Sequence, residues 1–210
     1  MRVPGVLIVV CVMASTATQA QEVKLGPVEA YTVVYTVSGL QSGTITQYSR
    51  NFSVEQVQVN DLTLPGGAMN TVRLITLGDT ITSYDPATHR AGSMSNASYA
   101  QLAAVAAGED GEQLVSILLR ALSFAPTGVM QNYAGEACTV WESAQLLQTR
   151  CVTPDGISVR VQIGSPGAGV EQMAQSISRG DPGPEHFYRV PEGVDITPVN
   201  ALNQLPGLGG

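Results

Sequence analysis

The chain has 210 residues, with 10 Lys and Arg against 17 Asp and Glu, which gives a formal net charge of −7. A nucleic-acid partner needs basic side chains that displace counterions from phosphates, so this charge balance argues against nucleic-acid binding. Charged residues make up only 13% of the chain. The abundance of Thr, Ser, Gln, Gly, Ala and Val is typical of secreted β-rich proteins, and this length suits one domain with a sizeable core.

The first twenty residues have the pattern of a secretory signal peptide. Arg2 gives a positive start, Val6 to Ala14 form an apolar run, and Thr18 to Ala20 offer small residues to a signal peptidase. The run is shorter than the roughly 20 apolar residues of a membrane-spanning helix. We therefore expect cleavage after Ala20, removal of Cys11 with the signal, and an exported protein that is not an integral membrane protein.

Short strands follow the signal. Residues 29–37 alternate with period two and place Tyr31, Val33, Tyr35 and Val37 on one face. Further runs rich in Thr, Val and Ile are separated by turn residues, and they cover 44–49, 53–59, 70–77 and 80–84. Five or six strands about ten residues apart indicate an antiparallel meander and argue against βαβ units.

Helical spacing replaces this pattern at Ser95. A first helix is predicted from the N-cap pair Ser95-Asn96 to the stop at Gly108. A second is predicted over 110–122, where Asp110 and Gln113 resemble a capping box and Pro126 closes the segment. This helix is apolar on most of its circumference, with Leu114, Ile117, Leu118 and Ala121 in one stripe. It is either an ordinary core helix or the cover of an apolar space.

Strands return after Gly135. Residues 137–142, 147–153 and 157–163 form a second meander, whose last turn is Pro154-Asp155-Gly156. Residues 170–179 are ambiguous between helix and strand, and Met173 and Ile177 within them fit helical spacing. The end of the chain, residues 198–210, is rich in Gly, Pro and Leu, and we expect it to be a disordered tail.

Two cysteines, Cys138 and Cys151, lie on the first two strands of the second meander. Neither a CxxC redox motif nor a Cys/His zinc cluster is present in the sequence, so a structural disulfide is predicted. Placing the two cysteines opposite one another puts Val140 opposite Thr149 and Trp141 opposite Gln148, with both sulfurs on one face. Closing a loop of about 14 residues contributes roughly 3 kcal/mol in the chain-entropy treatment.

Catalytic motifs are absent from the sequence. It contains no GxSxG, HExxH, P-loop or GxGxxG pattern, and the two histidines, His89 and His186, stand apart from any nucleophile motif. Asp79, Asp85 and Asp155 adjoin Gly or Pro, which favours a role in turns. We therefore predict no catalytic residue, no metal site, no cofactor and no enzymatic activity. A hydrolase would require spatial convergence of a histidine with a carboxylate and a hydroxyl.

Three segments carry a family resemblance: Gly135–Glu142, Cys151–Arg160 and Phe187–Gly193. They resemble a poorly characterised group of bacterial periplasmic proteins that is similar to the lipoprotein-carrier superfamily, the LolA/LolB-like proteins. The resemblance implies a periplasmic location and one domain over residues 21–197. It also implies an α+β fold, in which a strongly curved antiparallel sheet forms an incomplete β-barrel and central helices cover its open side.

A fold of that kind implies an apolar cavity. The second helix would be its lid, with Leu114, Ile117 and Leu118 facing inward, and Trp141 would be a wall residue. The expected function is then non-enzymatic binding or carriage of a lipid, a lipopeptide or another apolar ligand. The alternative is a structural or interaction module of the cell envelope, with an envelope protein as partner, a filled core and no small-molecule ligand. In that case the same four side chains are plain core residues.

Overall fold

The structure is a computed structural model and describes residues 23–165 and 168–200. Within these residues twelve strands form one sheet, accompanied by two α-helices and the 3-10 helix Glu185–Tyr188. The strands are β1 (Tyr31–Gly39), β2 (Ser42–Arg50), β3 (Glu55–Thr63), β4 (Met69–Leu77), β5 (Thr80–Asp85), β6 (Arg90–Ser95), β7 (Ala125–Tyr133), β8 (Glu136–Ser143), β9 (Gln148–Val152), β10 (Ser158–Ile163), β11 (Val170–Arg179) and β12 (Ile196–Pro198), and the helices are α1 (Tyr99–Ala106) and α2 (Gly111–Ala121).

The sheet is built from two meanders. Strands β1 to β6 pair antiparallel in sequence order, which confirms the predicted N-terminal meander and adds β6 to it. In β1, buried and more exposed side chains alternate as predicted, because Tyr31, Val33, Tyr35 and Val37 are all buried on one face. Strands β7 to β11 form the second meander, and β11 pairs with β1 to join the two halves.

Besides the short strands β6 and β12, the longer strands β7 and β11 were not identified from the sequence pattern. Residues 170–179, which fitted helix or strand, form β11, because β1 and β10 supply hydrogen-bonding partners on both of its sides. Strand β7 contains Pro126 and Gly128, which weaken a strand pattern and are tolerated here because β7 is an edge strand. Pro126 therefore lies within the first residues of a strand as well as closing the helical segment.

The predicted fold class needs correction. The prediction of a strongly curved antiparallel sheet that forms an incomplete β-barrel, with the central helices over its open side, is wrong. Strand β12 runs parallel to β6, so the sheet is mixed, and β7 and β12 are the edges of a sheet that is not closed. A strand of three residues is too short to show periodicity, so its parallel addition could not be read from the sequence. The broad α+β class is what remains of the prediction.

The two helices cross the sheet. They connect β6, near one edge, to β7 at the other edge. At one side of this path the Tyr99 ring of α1 lies against the turn at Gly78, between β4 and β5. At the other side Val115 and Leu119 of α2 pack against β8 and β9. Helix α2 begins and ends close to its predicted bounds, although Asp110 makes no side-chain capping hydrogen bond. The predicted N-cap pair of α1 is wrong, because Ser95 ends β6 and Ser98 is the residue before the helix.

The disulfide between Cys138 and Cys151 is present, with a Cα–Cα distance of 5.4 Å. The predicted register between the two strands is wrong by two residues, since Val140 lies opposite Cys151 and Trp141 lies opposite Arg150. The four-residue turn after Ser143 sets this register, and the cysteines consequently bridge diagonal positions. Both sulfurs lie on one face, as expected, and Trp141 and Arg150 lie on the other.

The ends of the chain extend beyond the described residues. The predicted signal peptide over residues 1–20, its cleavage site and Cys11 lie outside them, and so does most of the predicted tail. At the start of that tail the structure places Pro198 in β12 and a hydrogen bond of 2.8 Å from the Val199 N–H to the Ser93 carbonyl. The limits of the predicted domain otherwise stay a prediction.

Candidate ligand-binding cavity

A cavity of about 440 Å³ lies between the helices and one face of the sheet. Its volume falls within the range of roughly 300–1,000 Å³ that is usual for small-molecule sites. The side of the cavity formed by the helices is apolar, and the side formed by the sheet is largely polar. The apolar wall consists of Leu102, Val115, Leu118, Leu119 and Leu122, and the polar wall includes Tyr31, Tyr35, Gln47, Gln56, Gln58, Gln148, Arg150 and Gln172.

The apolar wall follows from the spacing of α2. Val115, Leu119 and Leu122 recur at four and three residues, so they share one side of the helix. Val115 and Leu119 are buried among Phe124, Trp141 and other apolar neighbours, which holds the helix on the sheet. Leu122 remains half-buried, and its side chain borders the open space.

The polar wall follows from strand alternation. Gln47 of β2 lies opposite Gln58 of β3, and both share the face of Tyr31 and Tyr35. The Gln47 side-chain amide donates a hydrogen bond of 3.2 Å to the Tyr31 hydroxyl, and the Tyr35 hydroxyl donates one of 2.7 Å to the Ser158 carbonyl. Burial raises the pKa of both phenols, so they are neutral hydrogen-bonding groups at physiological pH.

Arg150 is the basic residue of this wall. It lies opposite Trp141 of β8 and Val161 of β10. Its Nε donates a hydrogen bond of 3.2 Å to the Gln148 Oε1, and its guanidinium lies 5.0 Å from the centre of the Phe124 ring. Burial lowers the pKa of the Arg150 guanidinium. The cation is therefore held in a poorly solvated position next to the apolar wall.

Asp155 is the carboxylate among the described lining residues, and it is already bound. Its two oxygens accept hydrogen bonds from Thr153 Oγ1 at 2.5 Å and from Arg179 Nε at 2.6 Å. Arg179 also contacts Glu136 at 2.8 Å. The negative charge of Asp155 is thus compensated from outside the cavity, and Arg150 is left as the uncompensated charge of the lining.

The four side chains proposed from the sequence occupy different places. Leu118 lines the cavity, whereas Leu114 is fully buried against Ala106. Ile117 is half-buried and is not part of the lining. Trp141 packs behind the wall, in contact with the cluster of Val115 and Leu119. A ligand-binding role for these four residues stays a prediction.

The sequence argument missed part of the wall. It identified α2 but chose a stripe centred on Leu114 and Leu118, while the cavity follows the neighbouring stripe of Val115, Leu119 and Leu122. The 4–3 spacing of that second stripe was visible, but the apolar face of α2 is wide enough to hold both stripes, so the sequence pattern does not show which of them borders a cavity. Arg150 was missed because its position beside a cysteine says nothing about what faces it.

The two histidines lie outside the cavity lining. His89 lies in the turn between β5 and β6, and His186 lies in the 3-10 helix with its ring 4.4 Å from that of Phe187. Across residues 23–165 and 168–200, no three His, Cys, Asp or Glu side chains come together as metal ligands. Within the same residues, neither helix has the length and apolar character needed to span a membrane.

Comparisons with known proteins reveal a likeness of fold. No protein-family model matches the chain, and no curated protein matches it in sequence. An uncharacterised conserved protein from Thermus thermophilus is similar in structure, with a TM-score of 0.52, 7% identity, and coverage of 81% of this chain and 90% of that one. At such identity the likeness concerns the fold alone.

Two further solved structures are similar over most of this chain. PNGF-II matches with a TM-score of 0.50 and 12% identity over 83% of this chain, which spans 32% of PNGF-II. MucB matches with a TM-score of 0.40 and 10% identity over 84% of this chain and 62% of MucB. The likeness to PNGF-II concerns the fold alone.

Proposed function

We propose that this protein is an exported, periplasmic, non-enzymatic protein that binds a lipid-like ligand in the cavity between its helices and its sheet. The observation that carries the proposal is the cavity itself, about 440 Å³ in volume and walled on one side by aliphatic residues of α1 and α2. An acyl chain that enters such a space gains about 0.8 kcal/mol for each methylene removed from water.

Three further observations support this function. The sequence segments around the disulfide resemble those of periplasmic proteins similar to the lipoprotein carriers. A disulfide favours an oxidising compartment, and the N-terminal sequence has the pattern of an export signal. Binding is favoured over catalysis because neither His89 nor His186 is among the residues that line the cavity.

The test is the binding of an uncharged apolar probe. N-phenyl-1-naphthylamine should bind the delipidated protein saturably and with increased fluorescence, because the apolar wall excludes water from the dye. Leu122→Trp places a bulkier side chain in the cavity, which fills the space for the probe and should abolish saturable binding. Leu146→Trp is the matched control, because Leu146 is exposed in the turn between β8 and β9, outside the cavity, and it should bind as the unaltered protein does.

Two results would contradict the proposal. One is the absence of saturable probe binding to the unaltered protein, and the other is equal binding by both tryptophan variants. Either result favours the alternative function, a structural or interaction module of the envelope. Native mass spectrometry of the protein purified from its own cells supplies an independent readout, since a bound ligand adds a discrete mass.

A further inference from the structure

Four arginines form ion pairs in the described part of the structure, and Arg150 is not one of them. Arg50, Arg160, Arg179 and Arg189 each contact at least one carboxylate, at distances such as 2.6 Å for Arg160 and Glu171. Arg150 has no carboxylate within 4.0 Å in the part of the chain that the structure describes. Its one hydrogen bond to protein there is the one from Nε to Gln148.

This arrangement lowers the stability of the protein without a ligand. Withdrawing a cation from water costs free energy that a counter-ion normally offsets, and burial lowers the pKa of this guanidinium. A guanidinium has five N–H donors, and Gln148 uses one. The others belong to a side chain that lines the cavity, beside the ring of Phe124.

We propose that the ligand is an amphiphile with an anionic head group, a carboxylate or a phosphate, and that Arg150 binds this head group. The inference deepens the proposed function and rests on it. The planar guanidinium presents paired N–H groups that match the two oxygens of a carboxylate or phosphate. The apolar wall of Val115, Leu119 and Leu122 lies across the same cavity and takes the acyl chain.

Neighbouring groups favour an anion at this place. Gln148 and Gln172 provide neutral amides near Arg150, on the same face of the sheet. Asp155, the acidic residue of the lining, is paired with Arg179, which reduces its repulsion of a second negative charge. An aliphatic chain with an uncharged head group would leave the guanidinium without a counter-ion, so it should bind less tightly.

The experiment compares three probes with the same twelve-carbon chain: dodecanoate, dodecyl phosphate and 1-dodecanol. Trp141 reports binding by its fluorescence, because it is the single tryptophan of the chain and lies opposite Arg150. Titrations are made at pH 8 and below micelle concentrations. We expect at least one anionic probe to bind the unaltered protein about tenfold to a hundredfold more tightly than 1-dodecanol. The two anionic probes distinguish a carboxylate from a phosphate as the preferred head group.

Variants assign this preference to Arg150. Arg150→Gln should bring the affinity for the anionic probe down to that for 1-dodecanol, while the affinity for 1-dodecanol is unchanged. Arg150→Lys retains the charge but loses the paired geometry, so its affinity should be intermediate. Arg120→Gln is the control for net charge, because Arg120 is exposed on α2 and does not line the cavity. Circular dichroism verifies that each variant is folded.

The outcomes separate this inference from the proposed function. If the unaltered protein binds dodecanoate, dodecyl phosphate and 1-dodecanol equally, the head-group inference is overturned and the apolar binding function stands. The same holds if Arg150→Gln and Arg120→Gln lose the anionic preference to the same extent. If the unaltered protein binds none of these probes, nor N-phenyl-1-naphthylamine, both proposals fall together. The comparison of probes on the unaltered protein needs no variant to fold.

Discussion

At the scale of single residues, Gly183 shows how tightly the C-terminal segment is seated on the sheet. It occupies a turn with φ of +72°, and its N–H donates a hydrogen bond of 2.9 Å to the Asp181 side chain. A Cβ at this position would overlap the Tyr48 ring of β2. The turn leads into the 3-10 helix, where Tyr188 is fully buried in a cluster with Val57 and Ile75. Glycine is therefore required here for conformation and for space.

Gly183→Ala should lower the free energy of unfolding by about 2–4 kcal/mol, the sum of backbone strain and steric overlap with Tyr48. Gly180→Ala is the matched control, since Gly180 has a φ of +79° and nothing lies within 4 Å of its added Cβ. The control should lose only about 1 kcal/mol. Urea unfolding of the two variants measures the difference. Equal losses would show that the Tyr48 ring moves aside without cost.

At the scale of elements, Arg179 connects three parts of the second meander. It lies at the end of β11 and contacts Glu136 at the start of β8 and Asp155 in the turn between β9 and β10, at 2.8 and 2.6 Å. Burial raises the pKa of Asp155, but hydrogen bonds from Arg179 and Thr153 outweigh it and hold this pKa below its usual value. The ionised carboxylate is therefore favoured by folding.

The sign of the pH dependence follows from this lowered pKa. The ionised Asp155 carboxylate contributes its full stabilisation above a pH of about 4, the pKa of an aspartate in the unfolded chain. This stabilisation is lost as the pH falls through the lower pKa of Asp155 in the folded protein. Asp155→Asn should therefore cost about 1 kcal/mol at pH 7 and leave a smaller further loss between pH 4 and pH 2 than the unaltered protein shows.

Urea unfolding at pH 7, 4 and 2 measures the effect of Asp155→Asn. Asp195→Asn is the control, because Asp195 is exposed and has no ion pair within the described ranges. This control should keep the acid sensitivity of the unaltered protein. If Asp155→Asn loses as much stability on acidification as Asp195→Asn, the ion pair with Arg179 does not set the pH dependence.

At the scale of the whole molecule, the disulfide joins the two strands that carry Trp141 and the cavity residue Arg150, and neither cysteine is among the lining residues. Cys138 and Cys151 connect β8 to β9 across a separation of 13 residues, while Arg150 and Trp141 of the same strands face the other way. The bond therefore stabilises the strands that support the cavity without contributing to its lining.

Removing the disulfide should lower the free energy of unfolding by about 3 kcal/mol, since the crosslink restricts the unfolded chain. This is a large fraction of the roughly 5–15 kcal/mol that is usual for a domain. Reductant in urea titrations measures the loss, and the double variant Cys138→Ala with Cys151→Ala should not respond to reductant. Reduced protein that remains folded should still bind N-phenyl-1-naphthylamine. An unfolding midpoint that reductant leaves unchanged would show that the bond adds no stability.

Local sequence patterns predicted the parts of this fold that depend on neighbours along the chain. The alternation of Tyr31, Val33, Tyr35 and Val37 identified β1 and its buried face, and turn residues delimited the strands after it. Helical spacing after Ser95 identified α1 and α2. These features follow from the two-residue period of a strand and the 3.6-residue period of a helix, which any segment expresses by itself.

Patterns along the chain were sufficient to predict the order of the two meanders, the position of the helices between them and the pairing of Cys138 with Cys151. Three features became known only from the folded structure: the open and mixed sheet, the difference of two residues in strand register, and the absence of a counter-ion near Arg150 among the described residues. The physical reason is that these last features depend on groups far apart in the chain. A periodic segment specifies which side is buried, but the residue that it meets there is chosen by packing and hydrogen bonding of the folded chain.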